Sequence, residues 1–94
     1  MYVATLSRRV AHATYALLAW SRDNPYEDSS AASVILYDPE AMNARQTGAA
    51  LREAQKQRLV VRFGTDQWTP TELAHVHRLA LEERALREHE EFFT

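Results

Sequence analysis

Arg45, Ala49, Arg52 and Lys56 recur at intervals of four, three and four, so on an α-helix they line one side. With Leu51 turned inward, Thr47, Ala50 and Ala54 share its face and the other four lie opposite. Guanidinium groups bind phosphate oxygens or the guanine edge through paired N–H donors. Gln46 flanks the ridge and carries the amide that pairs with adenine in the major groove. Ala49, in the middle of the ridge, is small enough to let a base edge come close. Gly48 costs such a helix about 1 kcal/mol relative to Ala, which a close approach to another surface would explain. Arg62 and Thr65, on the strand and turn that follow, are placed to meet phosphate or the minor groove. The competing reading of this set is a solvated basic face, followed by a strand with an outward Arg that touches nothing.

Other chemistry has less support. The four histidines invite a metal site, but His75 and His77 point about 160° apart on a helix and His89 is too far along to join either. Glu72 and His75 share a face at i, i+3, yet two ligands without a third make a poor site. There is no cysteine, so neither a disulfide framework nor a Cys-based zinc site is available, and a reducing cytoplasm is the expected compartment. No Gly-rich phosphate loop and no Ser in an activating context is present. No enzyme, metal or cofactor is expected.

The elements that must position the ridge follow from the stretch Asn43 to Thr71. Asn43 is a good N-cap, and the run to Gln57 is rich in Ala, Arg, Gln, Glu and Leu, which predicts a helix over 44–57. Leu59 to Phe63 is β-branched and aromatic, as a short strand should be. Gly64-Thr65-Asp66 supplies a turn, and Gln67-Trp68-Thr69 returns as a second strand, giving a hairpin over 59–69. Pro70 and Thr71 then open another helix.

A helix carrying Thr47, Ala50, Leu51 and Ala54, followed by Leu59-Val60, a β-hairpin and a closing Thr-Pro-Thr, resembles the winged helix-turn-helix of small bacterial and phage regulators of the MarR and PadR kind. The resemblance implies a recognition helix over 44–57 that enters the DNA major groove, a wing over 59–69, and transcriptional regulation. Two positions depart from the pattern: Ala54 stands where a larger Leu is usual, and Arg58 where the helix normally ends in Gly.

Leu6, Val10, Ala13, Leu17 and Trp20 recur at three and four residues, which predicts a first helix over 6–21 with that face on the core. Ala11, Tyr15 and Leu18 form a second stripe, left for a partner or wedged against a further element of the same chain. Asp23 to Ser30 is polar and contains Pro25, so it reads as a loop ending in the capping residues Asp28, Ser29 and Ser30. Ala31 to Tyr37 is read as a short second helix, with a buried strand over Val34–Tyr37 as the alternative. Asp38-Pro39 stops it.

The longest helix is expected over 71–92, with Leu73, Val76 and Ala80 facing the core. Leu79, Leu86 and Phe93, spaced by seven, form a separate stripe that projects beyond it. Together with Ala11, Tyr15 and Leu18 they form the expected dimer interface.

Ninety-four residues make one small domain that gains from an oligomer. Its net charge of −2 is unevenly spread: Met1–Arg22 carries three bases and no acid, Asp23–Met42 five acids and no base, and Asn43–Arg62 five bases and one acid. Ten of the eleven basic residues are Arg, the type suited to bidentate recognition. Ser7-Arg8-Arg9 precedes an apolar run interrupted by His12, Thr14 and Tyr15, which argues against a secretion signal. No stretch approaches the roughly 18 apolar residues that spanning a bilayer requires.

The expectation is therefore a mainly α protein with a small two-stranded β-wing, a homodimer in the cytoplasm that contacts double-stranded DNA through Arg45, Gln46, Ala49, Arg52, Lys56, Arg62 and Thr65. The alternative, from another class, is a winged helix, of phage origin, that docks a partner protein through the same basic ridge without DNA.

Overall fold

A computed structural model describes residues 3–27, 29–38 and 41–91, with side chains throughout except those of Ala4 and residues 87–91. The expectations placed on Asp28, Pro39, Phe93 and the last residue of the 71–92 helix lie outside the described residues. Among the described residues the protein is mainly helical with one two-stranded antiparallel sheet.

Helix α1 (Arg8–Asp23) is the central element, packed against α5, α3, β2 and α2, whose bounds follow. Ser7 caps it, its Oγ accepting from the Val10 N–H at 3.2 Å, which satisfies one of the orphan donors of the first turn. Val10 through Thr14 and Ala16 through Trp20 are all buried. Such a helix must satisfy its polar side chains internally, and the Thr14 hydroxyl donates back to the Val10 carbonyl at 2.7 Å. At the other end Asn24 donates both its backbone N–H and its Nδ2 to the Trp20 carbonyl, and the helix stops before Pro25.

Helix α2 (Ala31–Val34) continues as a 3₁₀ turn over Ile35–Tyr37, so the helical reading of this segment holds. Ser30 caps it, accepting from the Ser33 N–H at 3.1 Å. Ahead of that cap, Ser29 does something the sequence did not advertise: its carbonyl accepts from the Trp68 N–H at 3.0 Å and its hydroxyl donates to the Trp68 carbonyl. The segment between α1 and α2 thus adds one antiparallel rung to the edge of the hairpin.

Helix α3 (Ala44–Lys56) begins in a full capping box: Asn43 Oδ1 accepts from the Gln46 N–H at 2.8 Å, and Gln46 Oε1 accepts from the Asn43 N–H at 3.1 Å. Thr47, Gly48, Ala50, Leu51 and Ala54 are buried, the inward face that the spacing predicts. The helix ends with the Arg58 N–H on the Gln55 carbonyl and the Leu59 N–H on the Ala54 carbonyl, both at 3.0 Å, the paired bonds of a Schellman stop. Arg58 has φ +64°.

Strands β1 (Val60–Phe63) and β2 (Gln67–Pro70) pair antiparallel, with Val60 opposite Pro70 and Arg62 opposite Trp68. Gly64, at φ +61°, takes the left-handed turn position that glycine adopts without steric cost. Thr71 closes the hairpin, donating its N–H to the Leu59 carbonyl at 3.0 Å and its hydroxyl to the Arg58 carbonyl at 2.7 Å. The same side chain caps helix α4 (Glu72–Val76).

The expected single C-terminal helix is divided at His77 into α4 and α5 (Arg78–Glu91). Its buried face also differs from the expectation. Ala74, Leu81 and Ala85 are buried, Leu73 is partly covered, and Val76 and Ala80 are exposed, a turn of roughly 100° about the helix axis. The break at His77 resets the helix phase, and small residues take part in the packing: α1 buries four alanines and the C-terminal segment two. The buried face thus mixes two alanines with Leu81, while the large Val76 and Leu79 stay exposed. Of the two readings of the stripe on α1, the structure shows the one without a partner. Ala11 and Leu18 are 0% and 4% exposed and Tyr15 is half-buried, so this helix is wedged within its own chain. Two hydrogen bonds from the Arg84 guanidinium to the Leu6 carbonyl, at 3.0 and 2.7 Å, tie α5 to the start of α1.

Candidate nucleic-acid interface

The free side of α3 carries the expected ridge: Arg45, Ala49, Arg52 and Lys56 are all exposed, while the opposite side of the helix is buried. Among the described residues, no hydrogen bond or ion pair holds the side chains of Arg45 and Arg52. Lys56 Nζ lies 3.5 Å from Glu53 Oε2, both well exposed, a pairing weak enough in water to exchange for another anion.

Three residues expected at the interface are engaged elsewhere. Gln46 is half-buried and its Oε1 belongs to the capping box, so its first task is to start the helix rather than to read a base. Arg62 is half-buried: its Nε donates to the Thr65 carbonyl at 2.9 Å, its Nη2 reaches the same oxygen, and its guanidinium lies 5.6 Å from the Trp68 ring centre. The ring quadrupole and a carbonyl dipole therefore compete with any external phosphate for this cation. Thr65 is exposed at the hairpin tip, its carbonyl fixed by Arg62.

Gly48 is buried, and the surface that approaches it is α2 of the same chain. A Cβ built there would sit 3.9 Å from Ala31 Cβ and 3.7 Å from Arg52 Nη1. Asp66 fixes the hairpin relative to α2, its carboxylate accepting from the Ala31 N–H at 3.2 and 3.3 Å and from Trp68 Nε1 at 2.9 Å. Helices α2 and α3 and the hairpin thus form one braced unit.

Arg58 is the exposed basic residue of the Asn43–Arg62 segment that the spacing argument left out. Its only sequence signal is a base directly beyond the last helical residues, at a position where glycine is the norm.

The remaining candidates fall apart spatially. His12 is buried beside Asp38, His75 is exposed and His77 half-buried; among the described residues no group of three His, Cys, Asp or Glu could hold a metal. Leu79 is 70% exposed and Val76 beside it 71%, while Leu86 is half-buried. Phe93 lies outside the described residues. A groove of about 580 Å³ separates the end of α1 from β2 and the α4–α5 junction, with Tyr15, Leu18 and Trp68 among its walls and the Arg78–Glu82 pair, 3.6 Å apart, along it. Among the described residues no helix is long and apolar enough to cross a membrane.

The chain matches no protein-family model, no curated protein sequence and no solved structure.

Proposed function

We propose that this chain is a winged helix-turn-helix protein that binds double-stranded DNA sequence-specifically, acting in the cytoplasm as a homodimeric regulator of transcription. The observation that carries this reading is the free face of α3, where Arg45 and Arg52 lie exposed and, among the described residues, without partners, on a helix whose other face is locked into the core. The order of elements supports it: a helix, a single strand rung at Ser29, two helices and an antiparallel hairpin. Arg52 is the base reader, with Arg45 and Lys56 on flanking phosphates. Ala49 leaves room for a base edge between them.

A fluorescence-polarisation titration against random duplex at low salt tests it. Non-specific contacts of a DNA-binding protein register at roughly 10⁻⁴ to 10⁻⁶ M, so binding by tens of micromolar is expected. Silence at that concentration would sink the DNA reading.

A second reading has its own observation. Val61 and Phe63, alternate residues on one face of β1, are both exposed, and an apolar wing face suits a protein surface better than a phosphate backbone. In that case the chain is a protein-interaction module. Phe63→Ser would then abolish capture of the partner, whereas under the DNA reading it leaves duplex affinity unchanged.

A further inference from the structure

We propose that Arg58 is an additional phosphate contact of the α3 surface, an inference that rests on the DNA reading above. Arg58 occupies the residue just past the helix, and its φ of +64° lies in the left-handed region, where a Cβ crowds the backbone and glycine is strongly favoured. The conformation is not a loose end. Both hydrogen bonds of the helix stop are made, at 3.0 Å each, and the Thr71 hydroxyl pins the Arg58 carbonyl at 2.7 Å. The backbone therefore imposes a glycine-like geometry on an arginine.

Among the described residues the side chain makes no contact that offsets that strain. Arg58 is exposed, and among the described residues its guanidinium has no hydrogen bond, ion pair or ring contact. A residue held in a costly conformation, with a fixed origin and an unused charged end, points to a ligand outside the chain. The ligand chemistry follows from its neighbours. Arg58 stands in the Asn43–Arg62 segment, the one with five bases and one acid, two residues beyond Lys56 and four before Arg62, at the junction of the ridge and the hairpin. A phosphodiester backbone running from α3 to the hairpin would meet it there. Because the contact is to phosphate, it adds affinity on every duplex and no sequence preference.

The test sets stability against binding in the variants Arg58→Gly and Arg58→Lys. Thermal unfolding of R58G should show a Tm higher by about 4–8 °C, because glycine relieves the left-handed strain. Polarisation titrations over a salt series should show R58G binding more weakly to every duplex, with the slope of log K against log salt reduced by about one. R58K should keep the wild-type slope and the wild-type Tm. An R58G protein that binds with wild-type affinity and slope overturns the inference while leaving the DNA reading intact. A lower Tm for R58G also overturns it, since the side chain would then be serving the fold. If the wild-type chain itself binds no duplex at tens of micromolar, the DNA reading fails and this inference fails with it.

Discussion

His12 Nδ1 and Asp38 Oδ1 stand 3.5 Å apart with both side chains completely buried. The pair joins the middle of α1 to the turn that delivers α3, and Asp38 Oδ2 also accepts from the Met42 N–H at 3.2 Å. Ala41, between them, has φ +52°. One carboxylate thus organises both the packing and the backbone of the connection between α2 and α3.

Asp38→Ala should therefore be among the most damaging single changes. It leaves a buried imidazole beside a cavity and frees a buried N–H, at a cost of about 2–4 kcal/mol. Urea denaturation should show the midpoint falling accordingly. A variant within 0.5 kcal/mol of wild type, at about the scale of surface substitutions, would mean that the pair does not hold this turn.

Gly48→Ala should move stability the other way. The added Cβ meets its nearest neighbours at 3.7 and 3.9 Å, ordinary contact distances, and alanine in a helix interior gains about 0.5–1 kcal/mol over glycine. The measurement is again the denaturant midpoint. The new methyl lies between Ala31 of α2 and the Arg52 guanidinium, so the prediction concerns stability alone.

Arg52→Ala and Lys56→Ala should differ in kind if α3 reads sequence. The first should cost about 1–3 kcal/mol on the preferred duplex and relax specificity at one position, while the second should weaken all duplexes alike and flatten the salt dependence. Equal losses from both on every sequence would leave a non-specific electrostatic surface.

Leu79→Glu tests the dimer. Leu79 is 70% exposed beside Val76 at 71%, so the substitution should change the stability of the isolated protomer by no more than about 0.5 kcal/mol. If these residues form the two-fold contact, sedimentation equilibrium should show a wild-type dimer and a variant monomer, with weaker operator binding by the variant. A wild-type chain that sediments as a monomer at high micromolar concentration removes the dimer. The surface available for it is smaller than the apolar stripes imply, since Ala11 and Leu18 are already covered by their own chain.

The local signals in this chain were legible because they act over a few residues. Asn43 and Gln46 three apart specify a capping box, Gly64 specifies a left-handed turn, and the spacing of Leu51 and Ala54 specifies which side of α3 is inward. These determined the helix, the hairpin and the exposed ridge of Arg45, Ala49, Arg52 and Lys56. What tertiary structure alone decided is how side chains with several options spend them. Gln46 went to the cap and Arg62 to the Thr65 carbonyl and the Trp68 ring. Ser29 became a strand rung because β2, thirty-nine residues away, offered it an unpaired edge. The buried face of α5, Leu81 with Ala85 and not Leu79 or Ala80, was set by how the helix restarts after the break at His77 and packs on α1, which hydrophobic periodicity read along one continuous helix does not register.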